Sequence, residues 1–207
     1  MSRNLYGLMI KYPEPGKVKT RLAKDIGLEK AAEIYRQVAE LVSEKTVPID
    51  QDYRCIVFFD PPARLRDFEK WIPGSQFIPQ QGADVGDRMD NAIRELLALG
   101  AEKAVITGAD IPGLNREIIE RAFASLDSAD IVIGPAGDGG YYLIGMKQPH
   151  GAIFRSISWS TEKVLEQTVK IIKGLHLTVA ETPVLPDIDR AEDLAHFPQL
   201  GEPPHLC

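Results

Sequence analysis

The chain has 207 residues, which suits one α/β domain and is too short for two enzymatic domains joined by a linker. Hydrophobic residues make up 44% and charged residues 26% of the chain, which argues against a disordered, collagen-like or coiled-coil protein. The formal net charge of −6 argues against binding to nucleic acid or anionic membrane through bulk positive charge. Any phosphate group must therefore be bound at a local site.

The two cysteines, Cys55 and Cys207, have neither metal-ligand spacing nor the pattern of a disulfide framework, and this usage fits a reducing cytoplasm. The sequence has no signal-peptide pattern, and no segment approaches the roughly 18 uncharged apolar residues that span a bilayer. We therefore expect a cytoplasmic protein with neither nucleic acid nor membrane as a partner.

Apolar runs rich in β-forming residues alternate with segments of helical period along the chain. Seven strands are predicted, over residues 5–10, 55–59, 77–78, 104–107, 131–133, 141–145 and 177–180. This alternation is typical of a three-layer α/β/α fold with a mostly parallel, mixed sheet. We expect a single domain over residues 1–200 and a disordered tail over residues 201–207.

Helices are predicted between these strands. Apolar residues recur every three or four positions over residues 31–42 and 89–97, which is typical of amphipathic helices. A third helix follows Asn115, and a fourth covers residues 164–172 with Ser160 or Thr161 as its N-cap. The last helix begins at Asp189, and Glu192 three residues later completes a capping box. Such sheets bind ligands beyond the carboxyl ends of their strands, so the loops after residues 10, 78, 107 and 133 are the expected site.

The loop after the first strand, KYPEPGKVKTRL, concentrates positive charge at Lys11, Lys17, Lys19 and Arg21. Gly16 would let the backbone approach a ligand closely, and lysine and arginine bind phosphate as a point charge and as a bidentate fork respectively. The loop also contains two prolines, so a solvated turn with its lysines in water is the alternative. The residues alone leave phosphate binding and a solvated turn open.

The loop after the fourth predicted strand, TGADIPGL, places Asp110 just beyond the edge of the sheet. A carboxylate there can bind Mg²⁺ or Mn²⁺, which prefer oxygen ligands and complete their shell with nucleotide phosphates. The alternative is an ordinary turn residue ahead of Ile111 and Pro112. We favour the metal, because the neighbouring loops offer phosphate ligands and further carboxylates.

Two further acidic loops could belong to the same site. In GPAGDGGYYLIG, Asp138 with Gly139 and Gly140 is typical of a tight hairpin, and this backbone would also admit a sugar or a phosphorylated acceptor. In LPDIDRAEDL, Asp189 is explained as an N-cap. Asp187 has no such structural account, so one of this pair could be the second metal ligand.

The loop QQGADVGDRM, residues 80–89, contains Gly82, Gly86 and Arg88 before a predicted helix. It could bind a nucleobase or ribose, although such connections are common without a ligand. The four histidines have no metal spacing, and there is no GxSxG elbow, Walker loop or GxGxxG after a strand. Hydrolase triads and dinucleotide-dependent redox chemistry therefore lack support.

Taken in order, the cationic first loop, GADIP, GPAGDGGYYLIG, a WST element at residues 159–161 and DIDRAEDL resemble the nucleotide-diphospho-sugar transferase superfamily. That superfamily has the Rossmann-like GT-A fold. Within it, the chain is similar to small bacterial family-A glycosyltransferases associated with radical-SAM and selenoprotein gene clusters. One departure is PEPGKVKTRL, which stands where sugar-nucleotide pyrophosphorylases have LAGGxGxRL and which is also similar to 2-phospholactate guanylyltransferases.

The resemblance implies a divalent-metal-dependent glycosyltransferase with a nucleotide-diphospho-sugar donor and a small-molecule acceptor. The alternatives are a nucleotidyltransferase that releases pyrophosphate and a catalytically idle nucleotide-binding protein, because a fold by itself does not determine the reaction.

The resemblance also implies residue roles. Asp110 and Asp138 would serve catalysis, with Asp138 facing the acceptor, while Asp110 and Asp187 or Asp189 would bind Mg²⁺ or Mn²⁺. Lys19 and Arg21 would hold the nucleotide phosphates. The full set of candidate nucleotide- and substrate-binding residues is Lys11, Gly16, Lys19, Arg21, Gly82, Arg88, Gly139, Gly140, Trp159 and Thr161.

Overall fold

The protein is described here by a computed structural model covering residues 3–49, 52–198 and 200. Within them, one sheet contains seven strands: β1 (Asn4–Lys11), β2 (Arg54–Asp60), β3 (Gln76–Pro79), β4 (Lys103–Gly108), β5 (Ile131–Pro135), β6 (Tyr141–Met146) and β7 (Val179–Glu181). Their order in the sheet is β3-β2-β1-β4-β6-β5-β7. All neighbours are parallel except β6, which is antiparallel to β4 and β5. The predicted mostly parallel mixed sheet is confirmed.

The helices are α1 (Leu22–Ile26), α2 (Leu28–Lys45), α3 (Leu65–Trp71), α4 (Val85–Ala98), α5 (Arg116–Ser125) and α6 (Val164–Gly174). Short 3₁₀ helices lie at Pro62–Arg64, Gly151–Phe154 and Ala191–His196. In the described part of the chain, no helix is both long and apolar enough to cross a membrane.

The two faces of the sheet are buried by different helices, as the period of two in a strand requires. In β1, Tyr6, Leu8 and Ile10 pack in the cluster that contains the apolar faces of α2 and α5. Leu5 packs in the other cluster, with residues of α4 and α6. This arrangement produces the predicted three layers.

Register brings several loops to one edge of the sheet. Lys11 at the end of β1 pairs with Asp60 at the end of β2, and Met9 pairs with Gly108 at the end of β4. Because β6 is antiparallel to β4, the β5–β6 hairpin lies at the same edge. The loops that the sequence singled out therefore meet in space.

All seven predicted strands are present, and Asn115 caps α5 by accepting the Ile118 N–H at 3.1 Å, as predicted. The predicted caps of the last two helices are wrong. Helix α6 begins after Lys163 with no side-chain cap, whereas the Thr161 hydroxyl donates to Ser158 O at 2.7 Å.

The last helix is a 3₁₀ turn beginning at Ala191, not at Asp189. Asp193, and not Glu192, supplies the carboxylate that accepts the N–H groups of Asp189 and Arg190, at 2.9 and 2.7 Å. The tail predicted at residues 201–207 lies outside the described residues.

Candidate active site

A cavity of about 440 Å³ lies at the carboxyl edge of the sheet. It is bordered by the loops after β1 and β4, the β5–β6 hairpin, the segment after β7 and the first turn of α4. The sequence-predicted residues that line it are Lys11, Lys17, Lys19, Asp110, Asp138, Gly140 and Asp187. Residues from separate segments of the chain are thus brought together where the strand order predicts a ligand site.

An ion pair between Lys19 and Asp110 lies in this cavity. Lys19 Nζ donates to Asp110 Oδ2 at 3.1 Å, and the two side chains are 4% and 45% exposed. Lys19 has a positive φ of 44°, in the left-handed region that residues with a Cβ seldom adopt. The lysine is thus a buried cation whose carboxylate partner faces the cavity.

The electrostatics of this pair favour the charged form of both groups. Burial by itself lowers the pKa of the Lys19 ammonium, but the surrounding aspartates, Asp110 first, raise it above its ordinary value. The Lys19 charge in turn holds the pKa of the Asp110 carboxyl below its ordinary value. Because a buried ammonium without a counter-charge is costly, Lys19 requires an anion at this position.

Arg21 makes a second ion pair beside the cavity. Its Nη1 donates to Asp189 Oδ2 at 2.7 Å, and its Nη2 donates to the Ser160 carbonyl at 3.1 Å. Arg21 thus joins three segments: the cationic loop, the WST element and the acidic loop after β7. It lies outside the set of described residues that line the cavity.

Three carboxylates, two of which line the cavity, form an acidic group. One oxygen each from Asp138, Asp187 and Asp189 lies within 4.8 Å of the other two. The backbone explains this approach: Leu185 N donates to Pro135 O and Gly137 N donates to Leu185 O, both at 3.2 Å. The segment after β7 therefore runs alongside the hairpin that carries Asp138.

The acidic group has the donor set of a divalent-cation site. Burial, followed by the charges of Asp189 and Asp138, raises the pKa of Asp187 to about 6. Three hard oxygen donors that repel one another fit a Mg²⁺ or Mn²⁺ ion. The group includes Asp138, which the sequence did not suggest as a ligand, whereas Asp110 is paired with Lys19.

The WST element packs against the protein beside the cavity. A Cβ at Gly86 would lie 2.6 Å from the Trp159 ring, so this glycine makes room for the indole. The Trp159 ring also meets that of Tyr141 edge to face, with centroids 6.4 Å apart. Trp159 and Thr161 lie outside the described residues that line the cavity.

The glycine-containing loop before α4 is held by its own contacts. Arg88 Nη1 donates to Asp60 Oδ2 at 2.9 Å, and a Cβ at Gly82 would lie 2.6 Å from Arg88 N. Gly139 at φ +84° packs closely on the Glu162 backbone. These contacts account for the residues structurally, and their predicted part in ligand binding stays a prediction, as does that of Gly16.

Tyr35 and Gln80, two polar residues of the cavity wall, are among those that sequence analysis did not predict. The Tyr35 hydroxyl accepts the Lys11 N–H at 2.9 Å, and Gln80 Nε2 donates to the carbonyls of Ile10 and Phe58 at 3.1 and 2.9 Å. Tyr35 is one of the regular apolar positions of α2, so nothing in the sequence distinguishes it. Gln80 is the first residue of the glycine-containing loop, but as one of two adjacent glutamines it carries no distinctive signal of its own.

The family model described as uncharacterized protein conserved in bacteria (DUF2064) matches residues 44–161, more than half of the chain. The chain belongs to the DUF2064 family. No curated protein sequence matches it.

Solved structures are similar to this DUF2064 protein over nearly its whole length. A protein from Desulfovibrio desulfuricans G20, assigned by name to the nucleotide-diphospho-sugar transferases, is 35% identical with a TM-score of 0.88, and the match covers 95% of this chain and 87% of that one. CMP:2-keto-3-deoxy-manno-octonic acid synthetase complexed with CTP is 12% identical with a TM-score of 0.58, covering 95% and 97%.

Rv0371c from Mycobacterium tuberculosis H37Rv, in complex with manganese, is 13% identical with a TM-score of 0.53, covering 93% and 96% of the two chains. At this identity, and at that of the synthetase, the likeness shows the fold alone. All three matches confirm the predicted fold, and the Desulfovibrio match, at 35% identity, confirms the nucleotide-diphospho-sugar transferase superfamily and classes the chain with the transferases.

Proposed function

We propose that the protein is a divalent-metal-dependent glycosyltransferase that moves a sugar from a nucleotide-diphospho-sugar to a small-molecule acceptor. The observation that carries this proposal is the single cavity in which Lys19 of the cationic loop meets the carboxylates of Asp110, Asp138 and Asp187. The relative that is 35% identical carries the name of a nucleotide-diphospho-sugar transferase, which supports the same activity. The domain predicted over residues 1–200 would be a catalytic domain, in the cytoplasm.

The charge of the cavity lining supports a diphosphate ligand. Among the described residues that line the cavity, the positive charges of three lysines equal in number the negative charges of three aspartates: Lys11, Lys17 and Lys19, and Asp110, Asp138 and Asp187. One divalent cation would then supply the charge that the diphosphate of a sugar nucleotide requires. A triphosphate would leave excess negative charge in the same cavity.

Asp187 and Asp189, with Asp138 or Asp110, would hold the cation, which stabilises charge on the diphosphate when it is bound. Lys19 and Arg21 would exchange their carboxylate partners for phosphate oxygens as the donor enters. This exchange keeps the buried Lys19 ammonium paired throughout, as its burial requires.

Asp138 would act on the acceptor, with Asp110 then completing the metal site beside Asp187 and Asp189. It lies on an exposed hairpin, where its Oδ1 accepts the Gly140 N–H at 2.8 Å and is thereby held in place. The acceptor hydroxyl forms a bond to the anomeric carbon while the bond from that carbon to the diphosphate breaks, and Asp138 takes the hydroxyl proton. The nucleoside diphosphate leaves between Lys19 and Arg21.

Nucleotidyl transfer is the second candidate function. The synthetase that shares this fold was solved with CTP, and the cationic loop here contributes three lysines to one cavity. In that reaction an acceptor phosphate attacks the α-phosphorus of a nucleoside triphosphate, and pyrophosphate departs against Lys19 and Arg21.

A two-step experiment separates the candidates. A thermal-shift screen of sugar nucleotides and nucleoside triphosphates, each with and without Mn²⁺, identifies the ligand class by stabilisation of the folded state. Product analysis with the stabilising ligand then decides the reaction: we expect a nucleoside diphosphate from a sugar nucleotide. Pyrophosphate from a triphosphate would establish the second candidate, and stabilisation by neither ligand class would contradict both.

A further inference from the structure

The hydroxyl group of Tyr35 fills a gap at the carboxyl edge of the sheet. The last residue pair between β1 and β4 is Met9 with Gly108, so Lys11 extends two residues beyond the end of β4. The Lys11 N–H donates to the Tyr35 hydroxyl oxygen at 2.9 Å, where a longer β4 would have offered a carbonyl. The tyrosine ring itself is buried with the apolar face of α2. Its one polar atom therefore lies at the edge where the site is.

This hydroxyl brings an unused hydrogen-bond donor to the cavity. Tyr35 and Lys11 both line the cavity, and the hydroxyl is the end of the tyrosine that reaches Lys11. A phenol can donate one hydrogen bond as well as accept one. The oxygen accepts from Lys11, but no atom of the described residues accepts the hydroxyl hydrogen. Tyr35 is thus only half satisfied by the protein.

The surroundings keep the hydroxyl protonated. Burial, first of all, and then the charges of Asp110 and Asp60 raise the pKa of Tyr35 above its ordinary value, although the backbone hydrogen bond that it accepts lowers it. The two carboxylates do not take the hydroxyl hydrogen, because they are paired with Lys19 and Arg88. At neutral pH, Tyr35 therefore remains a neutral donor.

We propose that Tyr35 binds the diphosphate of the donor, by donating its hydroxyl hydrogen to a phosphate oxygen beside the ends of β1 and β4. This inference rests on the proposed use of a donor with a diphosphate. Lys11 and Lys19 in the same wall supply positive charge, whereas Tyr35 supplies a directional donor that leaves the charge balance of the cavity unchanged. An anionic phosphate oxygen is a strong acceptor for such a group. Phenylalanine would bury the same ring but could not make this bond.

The test compares Tyr35→Phe with Tyr142→Phe by calorimetry in the presence of Mn²⁺. Tyr142 is a matched control, because it is equally buried and also lines the cavity. Its hydroxyl is already used within the protein: it donates to the Pro183 carbonyl at 2.9 Å and lies 2.8 Å from the Thr182 hydroxyl. The probes are inorganic pyrophosphate, UDP, CDP, ADP and GDP.

We expect Tyr35→Phe to weaken pyrophosphate and the bound nucleoside diphosphates by the same factor, roughly tenfold, because the lost hydrogen bond is to a group that all of them carry. Tyr142→Phe should match the wild-type affinity for every probe, although it loses stability with its two hydrogen bonds.

A protein with 3-fluorotyrosine at position 35 separates donation to the ligand from support of the Lys11 N–H. Fluorine makes the phenol a stronger donor and a weaker acceptor, so this protein should bind pyrophosphate more tightly than the wild type does. The measurement stands even where Tyr35→Phe does not fold.

Unchanged pyrophosphate affinity in a folded Tyr35→Phe protein would overturn the inference, whether or not nucleotide affinity falls. Equal or weaker pyrophosphate binding by the fluorinated protein would also overturn it, because the hydroxyl would then act only as the acceptor for Lys11. Both results leave the proposed function standing. If the wild type binds neither pyrophosphate nor any of the four nucleotides with Mn²⁺, the proposed function fails together with the inference.

Discussion

The Lys19–Asp110 pair predicts an asymmetry in stability. Lys19 Nζ is 3.1 Å from the carboxylate, with the lysine side chain 4% exposed and the aspartate 45% exposed. Removing the partner of a buried charge costs about 3–5 kcal/mol, because the remaining charge is left uncompensated away from water. Asp110→Ala leaves a buried ammonium, whereas Lys19→Met leaves a carboxylate that cavity water can solvate.

We therefore expect Asp110→Ala to destabilise the metal-free protein by about 3 kcal/mol, at the low end of that range because the aspartates after β7 also attract Lys19. Lys19→Met should cost about 1 kcal/mol, as for a half-exposed ion pair. In a chain of this size these losses correspond to melting temperatures lower by roughly 6–12 °C and 2–4 °C.

Thermal denaturation at pH 7 in a chelating buffer measures both losses, and Lys17→Met controls for loss of one positive charge in the same loop, since Lys17 is exposed. Equal losses in the two variants, or a larger loss in Lys19→Met, would refute the assignment of Lys19 as the buried member of the pair.

Three other predictions concern the acidic group and its arginine. The folded-state pKa of Asp187 is raised to about 6, so ionisation of its carboxyl opposes folding as pH rises through that value. In thermal melts without metal, Asp187→Asn should therefore melt about 2–4 °C higher than wild type at pH 8 and no higher at pH 3. Asp189→Asn should weaken Mn²⁺ binding at least about tenfold, as measured by calorimetry. An unaltered Mn²⁺ affinity would remove Asp189 from the metal site. Arg21→Lys keeps the positive charge but loses the guanidinium fork that contacts Asp189 and Ser160, so nucleotide affinity should fall roughly tenfold. Equal nucleotide affinity in this variant and the wild type would contradict a phosphate-binding role for Arg21.

Five strands, β1, β2, β4, β5 and β6, were predictable because each is an apolar run of a length and composition that burial on both faces requires. Asn115 was recognised as a cap for a local reason, since its side chain bonds the third residue after it. Helices α1 and α3 were missed, because helices of five and seven residues are too short for an apolar period to show.

The composition of the acidic group could not be read from the sequence. Asp138 and Asp187 are far apart in the chain, and they meet because the segment after β7 pairs with the hairpin through Leu185. Likewise, nothing local indicates that Asp110 pairs with Lys19 or that Asp193 supplies the cap attributed to Glu192. Loop residues were correctly placed at one edge, but their partners depend on tertiary contacts.

Calorimetric titration of the stabilising sugar nucleotide into the wild-type protein, with Mn²⁺ and then with EDTA, tests most directly whether the cationic loop and the carboxylates form one metal-dependent donor site. Asp187→Asn serves as the variant with a damaged acidic group. We predict that Mn²⁺ strengthens wild-type binding at least about tenfold and strengthens binding to Asp187→Asn much less. Equal wild-type affinity in Mn²⁺ and in EDTA would contradict the account.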